Sequence, residues 1–172
     1  HFSFNTQLAL VQVKDQPLFL NQLGDGKAFD ILYTNMNALK LSGELNYTFQ
    51  EKFSLLASAS YSNFSKLDAV TDAFGLIPLE ATAGLIWKPI GDLQVKADLF
   101  YRSGSLYRDS FSLTSRRLSS AVDMNLGVEF GLMPKLNLWL QMNNLFNNTY
   151  QRWNQYPVFG FNVMGGVVYS FQ

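Results

Sequence analysis

The sequence contains no cysteine and a single histidine, His1, so several kinds of chemistry lack the residues that perform them. Disulfide bridges and thiolate metal sites are excluded. A histidine-based metal site and a hydrolase that depends on a histidine base are both disfavoured. We therefore predict that the protein is not an enzyme, with no catalytic residue, no metal ligand and no cofactor.

An excess of charge of one sign is also missing. The 13 Lys and Arg residues balance the 13 Asp and Glu residues, so nothing favours a nucleic-acid partner. Long apolar runs are missing too, since no stretch approaches the roughly 18 consecutive apolar residues of a membrane-spanning helix. Yet 48% of the residues are hydrophobic, and mean hydropathy is only +0.01. A transmembrane β-barrel reconciles these values, because only alternate residues of its strands need to be apolar.

Apolar and polar residues alternate along most of the chain. Between residues 39 and 49, the odd positions are apolar or Gly, whereas the even positions are Lys40, Ser42, Glu44, Asn46 and Thr48. A period of two indicates a strand whose two faces meet different surroundings. Repeats of this pattern predict about eight antiparallel strands, each near the about 9–11 residues that cross a bilayer. We interpret residues 1–172 as one all-β outer-membrane β-barrel segment.

The connections separate this interpretation from a soluble β-sandwich, whose strands also alternate. Short and long connections alternate along the chain. The short ones lie near residues 50–51, 89–91 and 131–134, and the long ones lie at residues 16–30, 65–78, 103–117 and 147–159. Short periplasmic turns and long outer loops are typical of outer-membrane barrels. The pattern predicts that the short turns and the C-terminus lie in the periplasm.

Aromatic residues gather where the predicted strands meet the short turns. Such a row is typical of the girdle at a membrane interface. The predicted girdle residues are Tyr47, Phe49, Phe53, Trp87 and Phe130.

The residues from Asn143 to Tyr150 read Asn-Asn-Leu-Phe-Asn-Asn-Thr-Tyr. This stretch resembles the penultimate-strand motif of TonB-dependent outer-membrane receptors, in which Asn-Leu-Phe-Asn or Asn-Leu-Phe-Asp precedes a Tyr, a loop and the closing strand. The residues that carry the resemblance are Asn144, Leu145, Phe146, Tyr150 and Gly160. The family's Pro-Gly-Arg before the closing strand is Phe159-Gly160-Phe161 here, so its Arg is missing. Val167, Tyr169 and Phe171 resemble the terminal signal that the barrel assembly machinery recognises.

The resemblance implies the C-terminal barrel portion of a receptor in the cell outer membrane of a Gram-negative bacterium. Members of this family have about 22 strands and an N-terminal plug, and they take up a scarce nutrient of siderophore, glycan or peptide type. The implied partners are the remaining strands and the plug, on the same or another chain, the assembly machinery, outer-membrane lipid and lipopolysaccharide. Arg108, Arg116 and Arg117 are candidates for contacting lipopolysaccharide phosphates, which Arg binds bidentately.

Two other interpretations stay open from the residues alone. Eight strands can close on themselves into a self-contained outer-membrane barrel with a structural or adhesive role. A soluble lipocalin-like binder is disfavoured, because such barrels turn their aromatic residues inward.

Overall fold

A computed structural model describes residues 1–171 of the protein, apart from the side chains of residues 26 and 27. Within this range the secondary structure is entirely β. The strands are β1 (Phe2–Gln22), β2 (Asp25–Phe49), β3 (Phe53–Ser65), β4 (Leu79–Ile90), β5 (Leu93–Arg102), β6 (Leu106–Arg108), β7 (Ser115–Arg117), β8 (Ala121–Met133), β9 (Leu136–Asn143), β10 (Gln151–Trp153), β11 (Tyr156–Pro157) and β12 (Asn162–Tyr169). No helix among residues 1–171 is long and apolar enough to cross a membrane.

Eight of these strands form one antiparallel sheet, which confirms the predicted fold class. Their order is β1-β2-β3-β4-β5-β8-β9-β12, so every neighbour in the sheet is the next long strand along the chain. The four short strands form two separate hairpins, β6–β7 and β10–β11, within the connections at one end of the sheet. This strand order is a β-meander. It arises because each long strand is joined to the next as an antiparallel pair.

The pairing register confirms the two faces expected from the alternation. Leu41 lies opposite Leu8 on one side and Tyr61 on the other, whereas Lys40 lies opposite Ser62. Partners directly across a strand pair share a face of the sheet. One face is therefore apolar and the other polar across the main sheet.

The apolar face is not covered by the protein itself. The accessible surface is 11385 Å², whereas a compact monomer of 19.5 kDa exposes about 8,500 Å². Among the exposed side chains are Leu8, Leu10, Leu41 and Val167. An apolar face of this extent requires lipid or another protein surface against it.

The first hairpin corrects the sequence-based prediction of a long loop at residues 16–30. β1 and β2 continue through that region and join by a turn at Leu23 and Gly24, where Gly24 has φ +75°. A β-bulge between Val13 and Gln16 interrupts the alternation of apolar and polar residues, and so the sequence pattern did not indicate a continuous strand. It inserts one residue into β1, so the side chains facing outward change from even positions such as Leu10 to odd ones.

The sheet is open within residues 1–171. β1 and β12 are its two ends, and neither has a second neighbour in the described part of the chain. The closed eight-stranded barrel, one of the two forms considered from the sequence, is therefore not the arrangement that the structure adopts.

Candidate functional site

All long connections lie at one end of the sheet, where they meet the tip of the β1–β2 hairpin. We call this assembly the loop cluster. It comprises residues 66–78 between β3 and β4, residues 103–120 between β5 and β8, residues 144–161 between β9 and β12, and the hairpin tip at residues 16–32. The sequence predicted the three inter-strand connections correctly as long loops, but it did not predict that they pack on a strand hairpin.

A small hydrophobic core holds the loop cluster together. Leu18 and Leu20 of the hairpin are 1% and 4% exposed, and they pack with Phe74 of the β3–β4 connection. The surrounding partly buried side chains are Leu32, Leu67, Val70, Leu76 and Leu106. Burial of apolar side chains at about 1.5–3 kcal/mol each stabilises such a cluster, so these connections are anchored rather than free.

Arg108 fastens the β6–β7 hairpin to the tip of the long hairpin. Its Nε and Nη2 atoms donate hydrogen bonds to the backbone oxygen of Asn21, at 3.2 and 2.8 Å, and Nη2 lies 3.7 Å from Oδ2 of Asp30. The backbone N–H of Gly24 also donates to the oxygen of Ser110 at 2.9 Å. These contacts join two elements that lie far apart along the chain.

The other two arginines of this connection also have partners within the protein. Arg116 lies 3.4 Å from the Asp109 carboxylate, and Arg117 donates to the Gly104 oxygen at 2.9 Å. Backbone N–H groups of Ser112 and Phe111 bond to Asp109 and, with the Ser112 hydroxyl, lower its pKa. The structure thus uses these arginines to order the hairpin, and their contact with lipopolysaccharide stays a prediction.

Asn144, from the Asn-Leu-Phe motif, is a buried clasp at the start of the last connection. Its side chain is the donor to the backbone oxygens of Asn148 and Phe159, both at 2.9 Å, and the acceptor from the Asn148 N–H at 3.0 Å. Its own N–H donates to Oδ1 of Asn125. Asn144 is 3% exposed, so these hydrogen bonds take the place of bonds to water. They hold the two ends of the connection, near Asn148 and Phe159, close together.

The remaining motif residues take different positions. Leu145 donates its N–H to the oxygen of Met124 at 2.9 Å, whereas the Phe146 side chain is exposed. Gly160 makes a close approach, because a Cβ there would lie 2.8 Å from Oδ1 of Asn147. That oxygen accepts the N–H of Phe161, so a side chain at residue 160 would displace the bond that leads into β12.

Tyr150 is buried on the polar face of the sheet. Its ring meets Phe100 edge-on at 5.6 Å, and its hydroxyl points to Oδ2 of Asp123 at 3.5 Å. Burial, and then the carboxylate of Asp123, raise the pKa of the Tyr150 phenol. The phenol is therefore neutral at ordinary pH, and it anchors the last connection to β5 and β8.

Four aromatic rings line a pocket at the outer edge of the loop cluster. They are Phe19, Phe29, Trp153 and Tyr156, and they line an open depression of about 200 Å³. Phe19 and Trp153 meet edge-on with centroids 6.0 Å apart, and Phe29 and Tyr156 lie at the same distance. The sequence placed Trp153 and Tyr156 in a predicted long connection at residues 147–159, and it placed Phe19 and Phe29 in another at residues 16–30, where the structure has paired strands.

A second cavity of about 440 Å³ lies beside this aromatic pocket, on the polar face of the sheet. Its lining combines charged and aromatic side chains: Glu80, Thr82, Phe100, Tyr101, Arg102, Arg152 and Trp153. Arg102 lies 3.9 Å from Glu80. Trp153 lines both cavities.

The predicted girdle residues lie together at the opposite end of the sheet. Phe49 is opposite Phe53, Phe53 is opposite Trp87, and the rings of Tyr47 and Phe53 meet edge-on at 6.1 Å. Phe130 continues the row opposite Leu93. The structure brings these residues into one row beside the short turns, and their contact with a membrane interface stays a proposal.

The closing strand places the predicted terminal signal on the free side of the sheet. Val167 lies opposite Leu138, and Tyr169 lies opposite Leu136. The rings of Tyr169 and Phe171 meet edge-on at 4.8 Å, and both are exposed. They are accessible to a partner, but no contact in the structure tests recognition by the assembly machinery.

Comparison with solved structures identifies the fold. The siderophore receptor PiuA from Acinetobacter baumannii matches 98% of this chain with a TM-score of 0.69 at 14% identity. The ferripyoverdine receptor of the Pseudomonas aeruginosa outer membrane matches 99% with a TM-score of 0.76 at 11% identity. The FrpB iron transporter from Neisseria meningitidis matches 99% with a TM-score of 0.71 at 18% identity.

The chain has the fold of part of a TonB-dependent receptor barrel. It spans 26%, 25% and 29% of those three chains, respectively. No protein-family model and no curated protein sequence matches it. The fold expected from the Asn-Leu-Phe motif and the closing strand is thereby confirmed, and the matched proteins are receptors and transporters.

Proposed function

We propose that this chain is the C-terminal barrel portion of a TonB-dependent receptor that imports a scarce nutrient across the outer membrane of a Gram-negative bacterium. The observation that carries the proposal is an open antiparallel sheet with one exposed apolar face, matched over nearly its whole length by receptors of this fold. The remaining strands and the plug would complete the barrel. The nutrient is of siderophore, glycan or peptide type, and the matched proteins, which include a siderophore receptor and an iron transporter, favour the first.

The loop cluster is the part of this segment that would meet the nutrient first. In the proposed orientation it lies outside the cell, while the girdle row and the C-terminus lie at the periplasmic side. The short turns support this orientation, because outer-membrane barrels keep short turns in the periplasm. Val167, Tyr169 and Phe171 would then be available to the assembly machinery, and the apolar face would contact lipid.

Surface labelling tests the orientation. A cysteine in place of Phe111, which is 80% exposed at the tip of the β6–β7 hairpin, should react with a membrane-impermeant maleimide in intact cells. A cysteine in place of Glu51, in the turn between β2 and β3, should react only after the outer membrane is permeabilised. Because the chain has no native cysteine, background labelling from this segment is absent, and the reverse pattern would refute the proposed orientation.

Energy-dependent uptake tests the function. The complete receptor carrying this segment should take up a labelled compound from a panel of ferric siderophores, oligosaccharides and peptides in cells with TonB, and not in cells without it. Arg108→Ala removes the tie to Asn21 and Asp30 and should lower the uptake rate about tenfold, since a hydrogen bond to a charged group contributes about 1.5–3 kcal/mol.

Arg116→Ala is the matched control for the uptake experiment. Arg116 lies in the same hairpin, but its side chain is 59% exposed and pairs with the local Asp109, so uptake should be nearly unchanged. Equal amounts of each variant in the outer membrane must be verified by immunoblot. Uptake that does not depend on TonB for any compound in the panel would contradict the proposed function.

A further inference from the structure

The closing strand β12 has little in its own sequence to fix its register. Apolar side chains occur on both of its faces, with Met164 and Val168 on the polar face of the sheet and Val163 and Val167 on the apolar face. Such a strand specifies its register weakly, because a shift by one residue exchanges one apolar set for another. Within residues 1–171, β12 pairs with β9 alone. Its register therefore depends on contacts with β9.

Two adjacent glycines, Gly165 and Gly166, interrupt the side chains of β12. We call them the glycine pair. Glycine inside a strand often marks a β-bulge, since it has no side chain to pack. Asn143 donates a side-chain hydrogen bond to Asn162 at 3.0 Å, but that contact lies between the glycine pair and the loop cluster. The pairing with β9 nevertheless continues past the glycine pair, without a register shift, as far as Tyr169.

The indole of Trp139 covers Gly166. These two residues lie directly opposite each other on β9 and β12. A Cβ at residue 166 would come within 2.7 Å of Nε1 and within 2.8 Å of both Cε2 and Cζ2, so the edge of the indole occupies the space of the missing side chain. Among Asn162–Tyr169, Gly166 is the one residue that is partly buried, and all the others are exposed.

The other neighbours of Trp139 on the polar face are polar. Asn137 and Gln141 flank it along β9, and Glu129 lies opposite it on β8. The Glu129 carboxylate accepts a hydrogen bond from the Asn137 side chain at 3.3 Å. The indole lies instead over the neighbour that has no side chain. An aromatic ring placed over a strand glycine supplies the cross-strand packing that the glycine lacks.

We propose that Trp139 is a positioning residue that holds β12 straight at the glycine pair. A bulge there would move Gly166 away from its place opposite Trp139, and the indole would lose the strand on which it rests. Exposing that apolar surface to water is unfavourable, so the contact opposes the bulge. This inference goes beyond the import function, because it rests on the fold of the sheet.

The contact would keep the last residues of β12 on their faces. In the structure Val167 lies opposite Leu138, and Tyr169 lies opposite Leu136. A bulge at the glycine pair adds one residue to β12, so Val168 would take the place opposite Leu138. Tyr169 would then turn from the apolar face to the polar face.

Disulfide formation measures the register in the complete barrel of the proposed receptor, in a background otherwise free of cysteine. Leu138→Cys with Val167→Cys reports the straight strand, and Leu138→Cys with Val168→Cys reports the bulged one. Residues directly opposite on antiparallel strands lie within bridging distance. Trp139→Ala should lower the ratio of the first cross-link to the second about fivefold, as expected for the loss of an aromatic cross-strand contact.

Gln141→Ala is the matched control for the cross-linking experiment. Gln141 lies on the same strand and the same face as Trp139, opposite Met164 rather than a glycine, so the ratio should be unchanged. Where Trp139→Ala does not assemble, Trp139→Leu replaces it and should lower the ratio in the same direction by a smaller factor.

A rescue variant separates positioning from general packing. In Trp139→Ala the space above residue 166 is empty, so Gly166→Val in that background can fill it from β12 and favour a regular strand. The ratio should return to within about twofold of its original value. With Trp139 present, Gly166→Val would place its Cβ against the indole and should lower the amount of assembled barrel. Gly165→Ala should not, because its Cβ would lie 3.4 Å or more from its neighbours.

Three outcomes would overturn the proposal. The first is an unchanged cross-link ratio in Trp139→Ala or, where that variant does not assemble, in Trp139→Leu. The second is an equal loss in Gln141→Ala, which would make any side chain of this wall sufficient. The third is a ratio that stays low in the double variant of Trp139→Ala and Gly166→Val, which would mean that the glycine pair is not where the strand bends.

Discussion

The 172-residue chain on its own is expected not to refold in detergent into a compact, heat-modifiable and protease-resistant monomer. β1 and β12 each lack a second neighbour within the described residues, and a lipid or detergent tail cannot satisfy the backbone groups of an open strand. The loss should be nearly complete, because every spanning barrel known to be stable is closed. The measurement is electrophoretic mobility with and without boiling, together with trypsin resistance.

The control for this refolding experiment is the complete barrel of the proposed receptor, refolded under the same conditions. It should become heat-modifiable, and cross-linking should join β1 and β12 to strands of the remaining barrel. A compact monomer of the isolated chain, with direct hydrogen bonds between the segments Phe4–Leu10 and Phe161–Tyr169, would contradict the prediction. It would favour the self-contained eight-stranded barrel with a structural or adhesive role.

Arginine on the apolar face is expected to destabilise the assembled barrel by about 2–4 kcal/mol per substitution. Leu55, Leu85 and Val95 are the positions of choice, since Leu55 lies opposite Leu85, and Val95 lies opposite Trp87 on the same face. At mid-strand an Arg side chain would have to leave the hydrocarbon for the interface or carry water with it. The measurement is the urea midpoint for unfolding from bilayers, with the amount assembled in the outer membrane as a second readout.

Matched substitutions on the polar face should be milder. Ser58→Arg would place the guanidinium opposite Glu44, and Ser42→Arg would place it opposite Gln7 and Ser60. Both positions face the interior of the proposed barrel. Asn125 is unsuitable as a control, because its side chain accepts the Asn144 N–H. Equal midpoints for the two sets of variants would mean that the assignment of the faces is wrong.

The alternation of apolar and polar residues predicted the main sheet, because the side chains within each strand determine which of its faces is apolar and which is polar. From Leu39 to Phe49 the alternation is unbroken, and the register bears it out residue by residue. The upper part of the first hairpin could not be predicted in this way. The bulge near Asp15 shifts the alternation by one position, and Leu18 and Leu20 are covered by loops from elsewhere in the chain.

The candidate site was predictable only where a local motif carried it. Asn144 and Tyr150 stood out in the sequence, but the clasp depends on Asn148 and Phe159, and the phenol depends on Asp123 and Phe100. The aromatic pocket depends on residues more than 120 positions apart, such as Phe19 and Trp153. No local pattern carries that information, because the β1–β2 hairpin and the last connection must first come together.

Among residues 1–171, the upper part of the β1–β2 hairpin pairs with no strand outside the hairpin, because β3 ends opposite Asn37. Residues above that point can therefore be lengthened or shortened in pairs without altering the register of any other strand in the sheet. The bulge near Asp15 separates the two regions. Changes in residues above the bulge therefore leave the alternation of apolar and polar side chains below it unaltered. Such an arrangement lets a lineage vary the height and tip of the hairpin, where Phe19 and Phe29 lie, while the rest of the barrel is inherited unchanged.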